Sequence, residues 1–157
     1  MKLVKTNDVP WTDAMNQGAF SQQKKSLTNA ALGASLWRLP PGKKSFPFHM
    51  HHVTEESLFV VSGNAKVRTP EGLTAIGPGD WITFEPGNGA HQLINDGTAD
   101  FVYVGLSVGK GVDVVEYPDS GKVAAAVGAP PTGQRFMFKR DTQAGYFDGE
   151  KDAAPGQ

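Results

Sequence analysis

The chain has 157 residues, 39% of them hydrophobic, which is enough for one core and leaves little for a second independent domain. Fifteen Lys and Arg nearly cancel sixteen Asp and Glu, and no basic cluster is longer than the pairs Lys24-Lys25 and Lys43-Lys44, so nothing points to nucleic acid. Cysteine is absent, which excludes disulfides, thiolate metal ligands and a cysteine nucleophile. The opening Met1-Lys-Leu-Val-Lys-Thr-Asn-Asp is too polar for a secretory segment, and no apolar run is long enough to cross a bilayer. A cytoplasmic protein without a membrane partner is the expectation.

Nineteen glycines and eleven prolines interrupt short runs of Val, Phe, Leu and Ile, a pattern that favours short strands over helices. The fold class read from it is all-β, an antiparallel barrel or sandwich. In chain order, Phe20–Leu27 can add an early strand. The main strands are then expected at Ala34–Leu39, Ser45–Met50, Glu56–Ser62, Ala65–Thr69, Leu73–Ile76, Trp81–Phe84, His91–Asn95, Ala99–Ser107 and Val112–Tyr117. Glu71-Gly72 closes a tight hairpin, placed at a sheet edge because Pro70 cannot donate a ladder hydrogen bond. Asn95-Asp96-Gly97 is a hairpin signal. Residues 1–31 and 118–157 carry less strand signal and read as arms around a barrel spanning 32–117. Phe136-Met-Phe-Lys139 is an apolar run within the second arm that calls for a partner surface.

The chemistry concentrates in three of the four histidines. His49 and His51 stand at i and i+2, so on a strand both project from one side. A carboxylate, Glu55 or Glu56, and a third imidazole, His91, can then complete a metal cage. Strand alternation turns His52 away, although a bend would make it the ligand in place of His51. Inward Glu56 carries Leu58, Val60 and Ser62 to the same wall, and Leu93 follows His91. Phe46, Phe48, Trp81, Phe84, Phe101 and Tyr103 are the aromatic candidates for pocket or core. Trp37 and Arg38 alternate, so only one of them can face a cavity.

Two segments carry a resemblance. The first runs Gly42, His49, His51, Glu56, Gly63; the second runs Gly79, Pro86, His91, Asn95. Together they resemble the two signature motifs of the cupin superfamily, each one residue long at its start, and Asn88 stands where the family has glycine. Glu56 is selected over Glu55 because it lies seven residues before Gly63, as in the family. More narrowly, Leu39-Pro-Pro-Gly42, Phe48-His-Met-His-His52, Gly89-Ala-His-Gln-Leu-Ile-Asn95, Val114-Val-Glu-Tyr-Pro-Asp-Ser120 with Lys122-Val123, and Tyr146-Phe-Asp-Gly-Glu150 resemble small single-domain cupins labelled as candidate sugar phosphate isomerases.

The resemblance implies a double-stranded β-helix, the cupin or jelly-roll barrel, and a homodimer. It also implies one divalent transition metal per chain (Mn, Fe, Ni, Co or Zn) on His49, His51, Glu56 and His91. Three imidazoles and a carboxylate without thiolate suit those ions and leave coordination positions open for a small-molecule substrate. The first expectation for function is an isomerase of a sugar or sugar phosphate, with Tyr103, Glu55 and His52 as the catalytic proton carriers. Such an enzyme needs a cation for phosphate, for which Arg38, Lys43, Lys44, Lys66 and Arg68 are the candidates. An iron or nickel dioxygenase and a non-catalytic ligand-binding barrel are the alternatives.

Overall fold

The computed structural model describes residues 1–29, 31–109, 111–128 and 133–151. Its strands are β1 (Thr12–Gln17), β2 (Phe20–Asn29), β3 (Leu32–Leu39), β4 (Met50–His51), β5 (Glu55–Ser62), β6 (Ala65–Thr69), β7 (Gly72–Ile76), β8 (Trp81–Phe84), β9 (Gln92–Ile94), β10 (Phe101–Val108), β11 (Val112–Tyr117), β12 (Lys122–Val127) and β13 (Gln134–Lys139). Three short 3-10 turns are the only helical elements among the described residues. A six-stranded sheet has the order β1-β2-β3-β10-β5-β8, facing a four-stranded group β13-β12-β11-β4 and a three-stranded group β7-β6-β9. Bridges His49↔His91 and Lys44↔Ile94 join the two smaller groups into a second wall. The result is a double-stranded β-helix.

Alternation along the strands decides what fills it. In β5, Leu58 and Val60 are buried while Phe59 and Val61 are exposed, the two-residue period of a strand with one face on the core. Leu39, Val67, Leu93, Phe101 and Tyr103 join them in one cluster, with Trp37 and Ile82 packed against it. Val115, Tyr117 and Ala124 form a smaller cluster under the four-stranded group.

The segments read as arms are strands hydrogen-bonded into these sheets. β1 and β2 extend the six-stranded sheet beyond β3, and β12 and β13 extend the other wall beyond β11. Residues around Trp11 cross the outer face, where Lys25 and Arg38 lie over the Trp11 ring. Lys25 also donates to the Thr6 carbonyl at 2.8 Å.

Two expectations are corrected. Ser45–Met50 does not form a continuous strand: Pro47 has no N–H for a ladder, and regular pairing is confined to Met50–His51 with isolated bridges at Lys44 and His49. Asn95-Asp96-Gly97 does not close a hairpin, because β9 pairs with β6 whereas β10 pairs with β3 and β5. The Asn95 side chain is fully buried and accepts from Gly97 N at 3.0 Å, forming a local turn. Its amide also donates to the carbonyls of Leu39 and Ala99, both at 2.8 Å, so it pins the crossing between sheets. The Glu71-Gly72 hairpin does form, on edge strand β7.

Gly63, after β5, has φ +78°, and a Cβ there would stand 2.3 Å from the Asp100 carbonyl oxygen. Gly42 has φ +70° with open space around it. Gly63→Ala is therefore expected to lower unfolding free energy by about 2–3 kcal/mol or more, and Gly42→Ala by about 1–2 kcal/mol. Denaturant midpoints of both variants check the ordering; equal losses would contradict it.

Candidate metal centre

The site begins with a backbone pair. His49 N donates to His91 O at 3.2 Å and His91 N to His49 O at 2.9 Å, so the two residues oppose each other directly and send their side chains to one face. His51, two residues on in β4, pairs with Val115 of β11 and shares that face. Glu56 arrives from the opposite wall, on β5 between Phe84 of β8 and Ser107 of β10. The Nε2 atoms of His49, His51 and His91 lie 3.8, 3.6 and 3.3 Å from the same Glu56 Oε2. Donor atoms of His49, His51 and Glu56 lie within 4.8 Å of one another, a grouping that could hold a metal ion.

Hydrogen bonds on the far side of each ring fix which nitrogen faces inward. His49 Nδ1 donates to the Pro47 carbonyl at 2.8 Å, and His91 Nδ1 to the Gly89 carbonyl at 2.7 Å. His51 Nδ1 meets Asp113 Oδ2 at 2.5 Å. Carbonyl oxygens only accept, so Nδ1 of His49 and of His91 carries a proton, and Nε2 is the nitrogen each ring turns towards Glu56. Asp113 was not among the expected site residues. Its other oxygen accepts from Val53 N at 3.0 Å. Its one signal in the sequence is an acid among the valines of β11, on the face shared with buried Val115.

Electrostatics follow from this enclosure. Burial and the neighbouring charge of His91 push His49 down to about 4, so this ring resists protonation. Burial pushes Glu56 up, but the His91 hydrogen bond and the charges of the three histidines outweigh it and hold the carboxyl at about 2. Burial likewise works against ionised Asp113, and its hydrogen bond with His51 reverses the balance to below the usual range.

A cavity of about 840 Å³ opens from the cluster, walled by Trp37, Phe46, Leu58, Phe84, Leu93 and Tyr103. The Phe84 ring stacks on His91 at 3.6 Å between centroids. Trp37 faces inward and Arg38 outward, where it meets the Gln23 side chain and Asp100. Phe101 is core, and Trp81 is exposed. Ser62 is exposed too, because a register shift between Val102 and Tyr103 breaks the alternation there.

Two of the three expected proton carriers lie elsewhere. Glu55 is exposed and outside the cavity lining, since alternation from Glu56 sends it to the outer face. His52 is exposed and pairs with Glu116 at 2.9 Å. Tyr103 does line the cavity, but its hydroxyl donates to the buried Gln22 Oε1 at 3.3 Å. Burial and the Glu56 charge push the phenol upward, so it stays protonated at any ordinary pH.

Comparison with known proteins places this geometry. No curated protein matches the chain. A protein from Acidithiobacillus ferrooxidans, named as a candidate sugar phosphate isomerase, is 26% identical with TM-score 0.79, covering 91% of this chain and 95% of that one. A cupin from Silicibacter pomeroyi named as a sugar phosphate isomerase is 19% identical with TM-score 0.78, covering 94% and 98%. A polyketide cyclase from Streptomyces resistomycificus is 18% identical with TM-score 0.62, covering 90% and 89%. The family described as the cupin domain matches residues 35–109, which hold all of His49, His51, Glu56 and His91. The two-walled barrel agrees with these likenesses in fold, and residues 35–109 match the cupin domain.

Proposed function

We propose that this chain is a metal-dependent enzyme acting on a small molecule, an isomerase of a sugar or sugar phosphate, with one divalent transition ion on His49, His51, Glu56 and His91. The observation that carries the reading is the convergence of three Nε2 atoms on one Glu56 oxygen, each ring locked by an acceptor at Nδ1. Three nitrogens and an oxygen donor suit Mn, Fe, Co, Ni or Zn. The name of the 26% identical neighbour supports the reaction class.

The bound ion would polarise adjacent substrate oxygens and acidify the carbon-bound proton between them. The chain supplies the rest. Leu58, Phe84 and Leu93 exclude water on the inner wall, and Asp113 holds the His51 ring in register. Tyr103, kept protonated with its hydroxyl donated to Gln22, lines the cavity and does not act as a base. A dioxygenase on the same ligands calls for an apolar cavity. Ser26, Ser35 and Ser107, set beside the apolar wall in the lining, support a hydroxylated substrate. We also propose the homodimer, supported by edge strand β13, whose Phe136, Met137 and Phe138 are exposed.

Elemental analysis of protein purified without chelators is expected to give close to one Mn or Zn per chain, whereas stoichiometric iron or nickel would support the dioxygenase. His51→Ala and Glu56→Ala are expected to lose most of the metal while staying folded, and Asp113→Asn to weaken metal affinity about 10–100-fold. Full occupancy in the two ligand variants would overturn the assignment.

The reaction itself is read by incubating metal-loaded protein with aldose phosphates in heavy water, where NMR should find deuterium entering the carbon next to the carbonyl. Absence of exchange across a panel of aldoses and their phosphates counts against isomerase chemistry.

The metal-free fold should be acid-sensitive. The folded pKa of His49 lies near 4, below its ordinary 6.5, so as pH falls the unfolded chain takes up this proton first. The stability contributed is complete above about pH 6.5 and shrinks towards pH 4, a loss approaching about 3 kcal/mol. The Glu56 contribution is lost lower, from pH 4.5 towards about 2. Denaturant midpoints of chelator-treated protein between pH 7 and pH 4 should fall, and a flat profile would contradict the buried neutral imidazole. Metal should leave over the same range, because protons compete for the imidazoles.

A further inference from the structure

The metal cluster lines the cavity, and the outer strands bring two cations to the same lining. Lys24 of β2 pairs with Trp37 of β3, which pairs with Tyr103 of β10, so the three form one row facing inward. Lys24 Nζ lies 5.6 Å from the Trp37 ring centroid, and Trp37 meets Phe46 edge-on at 5.7 Å. Phe46 in turn lies 6.1 Å from the His49 ring. On the opposite wall a second row runs Asp113, Ala126, Arg135 across β11, β12 and β13. Directly paired residues share a face, so Arg135 stands on the face from which Asp113 reaches His51, two strand spacings or about 10 Å away. Both cations line the cavity.

Their charges are uncompensated. The cavity's two carboxylates, Glu56 and Asp113, are turned to the histidines. Neither Lys24 nor Arg135 has a carboxylate partner among the described residues. Four of the five cations considered from the sequence are engaged elsewhere: Lys66 with Asp96, Arg68 with Asp119, Lys43 with the Gly18 carbonyl, and Arg38 with Gln23 and Asp100; the fifth, Lys44, is not in the cavity lining. The rest of the lining includes Ser26, Ser35, Ser107 and several glycines, and among the described residues Glu56 and Asp113 are its only acids.

We propose that Lys24 and Arg135 form an anion subsite that holds the phosphate monoester of the substrate, one cation from each wall, while the rest of the molecule extends towards the metal centre. The proposal rests on the isomerase reading for what lies at the metal end. A phosphate monoester carries about −1.5 to −2 charge at neutral pH, which two cations match, whereas a carboxylate would leave one of them unpaired. The planar guanidinium of Arg135 offers two parallel donors to phosphate oxygens, and Lys24 adds a point charge held over an aromatic face.

The test uses full-length protein treated with chelator, so that metal cannot bind the probe, titrated with inorganic phosphate at low salt by calorimetry and ³¹P line width. Wild type should bind, with affinity that falls as salt is added. Lys24→Gln and Arg135→Gln should each weaken binding about tenfold, the double variant should abolish it, and Arg135→Lys should retain part of it. The metal content of the double variant should match wild type. No phosphate binding by wild type, or unchanged binding in the double variant, overturns the subsite. Phosphate binding with no deuterium exchange would instead overturn the isomerase reading and leave the subsite standing.

Discussion

The reciprocal backbone hydrogen bonds between His49 and His91 are the contact that ties the barrel seam to the site. They bridge the four-stranded and three-stranded groups into one wall. The same pairing puts two imidazoles side by side on the inner face, and the two-residue strand period adds His51 without any further device. Fold closure and ligand placement are therefore one event. A register slip here would open the barrel seam and scatter the donor set together.

Within that frame the cavity divides chemically along the chain. The family-matched stretch, residues 35–109, supplies the inner end: the three histidines, Glu56 and the aromatic and aliphatic wall. Strands outside it supply the cationic rim, Lys24 from β2 and Arg135 from β13, and Asp113 of β11 lies just past its end. Strands β2 and β13 thus line the cavity as well as extending the two walls.

Much of this was legible from residues. The i, i+2 histidines, Glu56 and His91 could be placed together because strand alternation and motif spacing are local properties. Strands such as Ala65–Thr69, Trp81–Phe84 and Val112–Tyr117 have the bounds expected from composition and punctuation. What escaped the sequence is long-range. Asp113 meets His51 across 62 positions, and Arg135 reaches the cavity only through a strand ladder whose register no local pattern encodes. Strands β1 and β12 were unread because their apolar residues are few or small, as in Lys122-Val-Ala-Ala-Ala-Val127. Asn95-Asp96-Gly97 announced a turn correctly and a hairpin wrongly, since turn chemistry does not say which sheet the next strand joins. His52 and Glu55 face away from the cavity that His51 and Glu56 face, because neighbours on a strand point opposite ways.

Two of the three imidazoles lean on backbone carbonyls at Pro47 and Gly89, and only His51 leans on an ionisable side chain. Asp113 therefore sets the charge balance of the proposed centre. Glu56 and Asp113 together would offset a divalent ion, giving a neutral assembly against the apolar wall, whereas a trivalent ion would leave an unshielded positive charge there. On that balance the cage would discriminate by oxidation state, favouring ions that keep their valence and disfavouring one-electron oxidation of the metal.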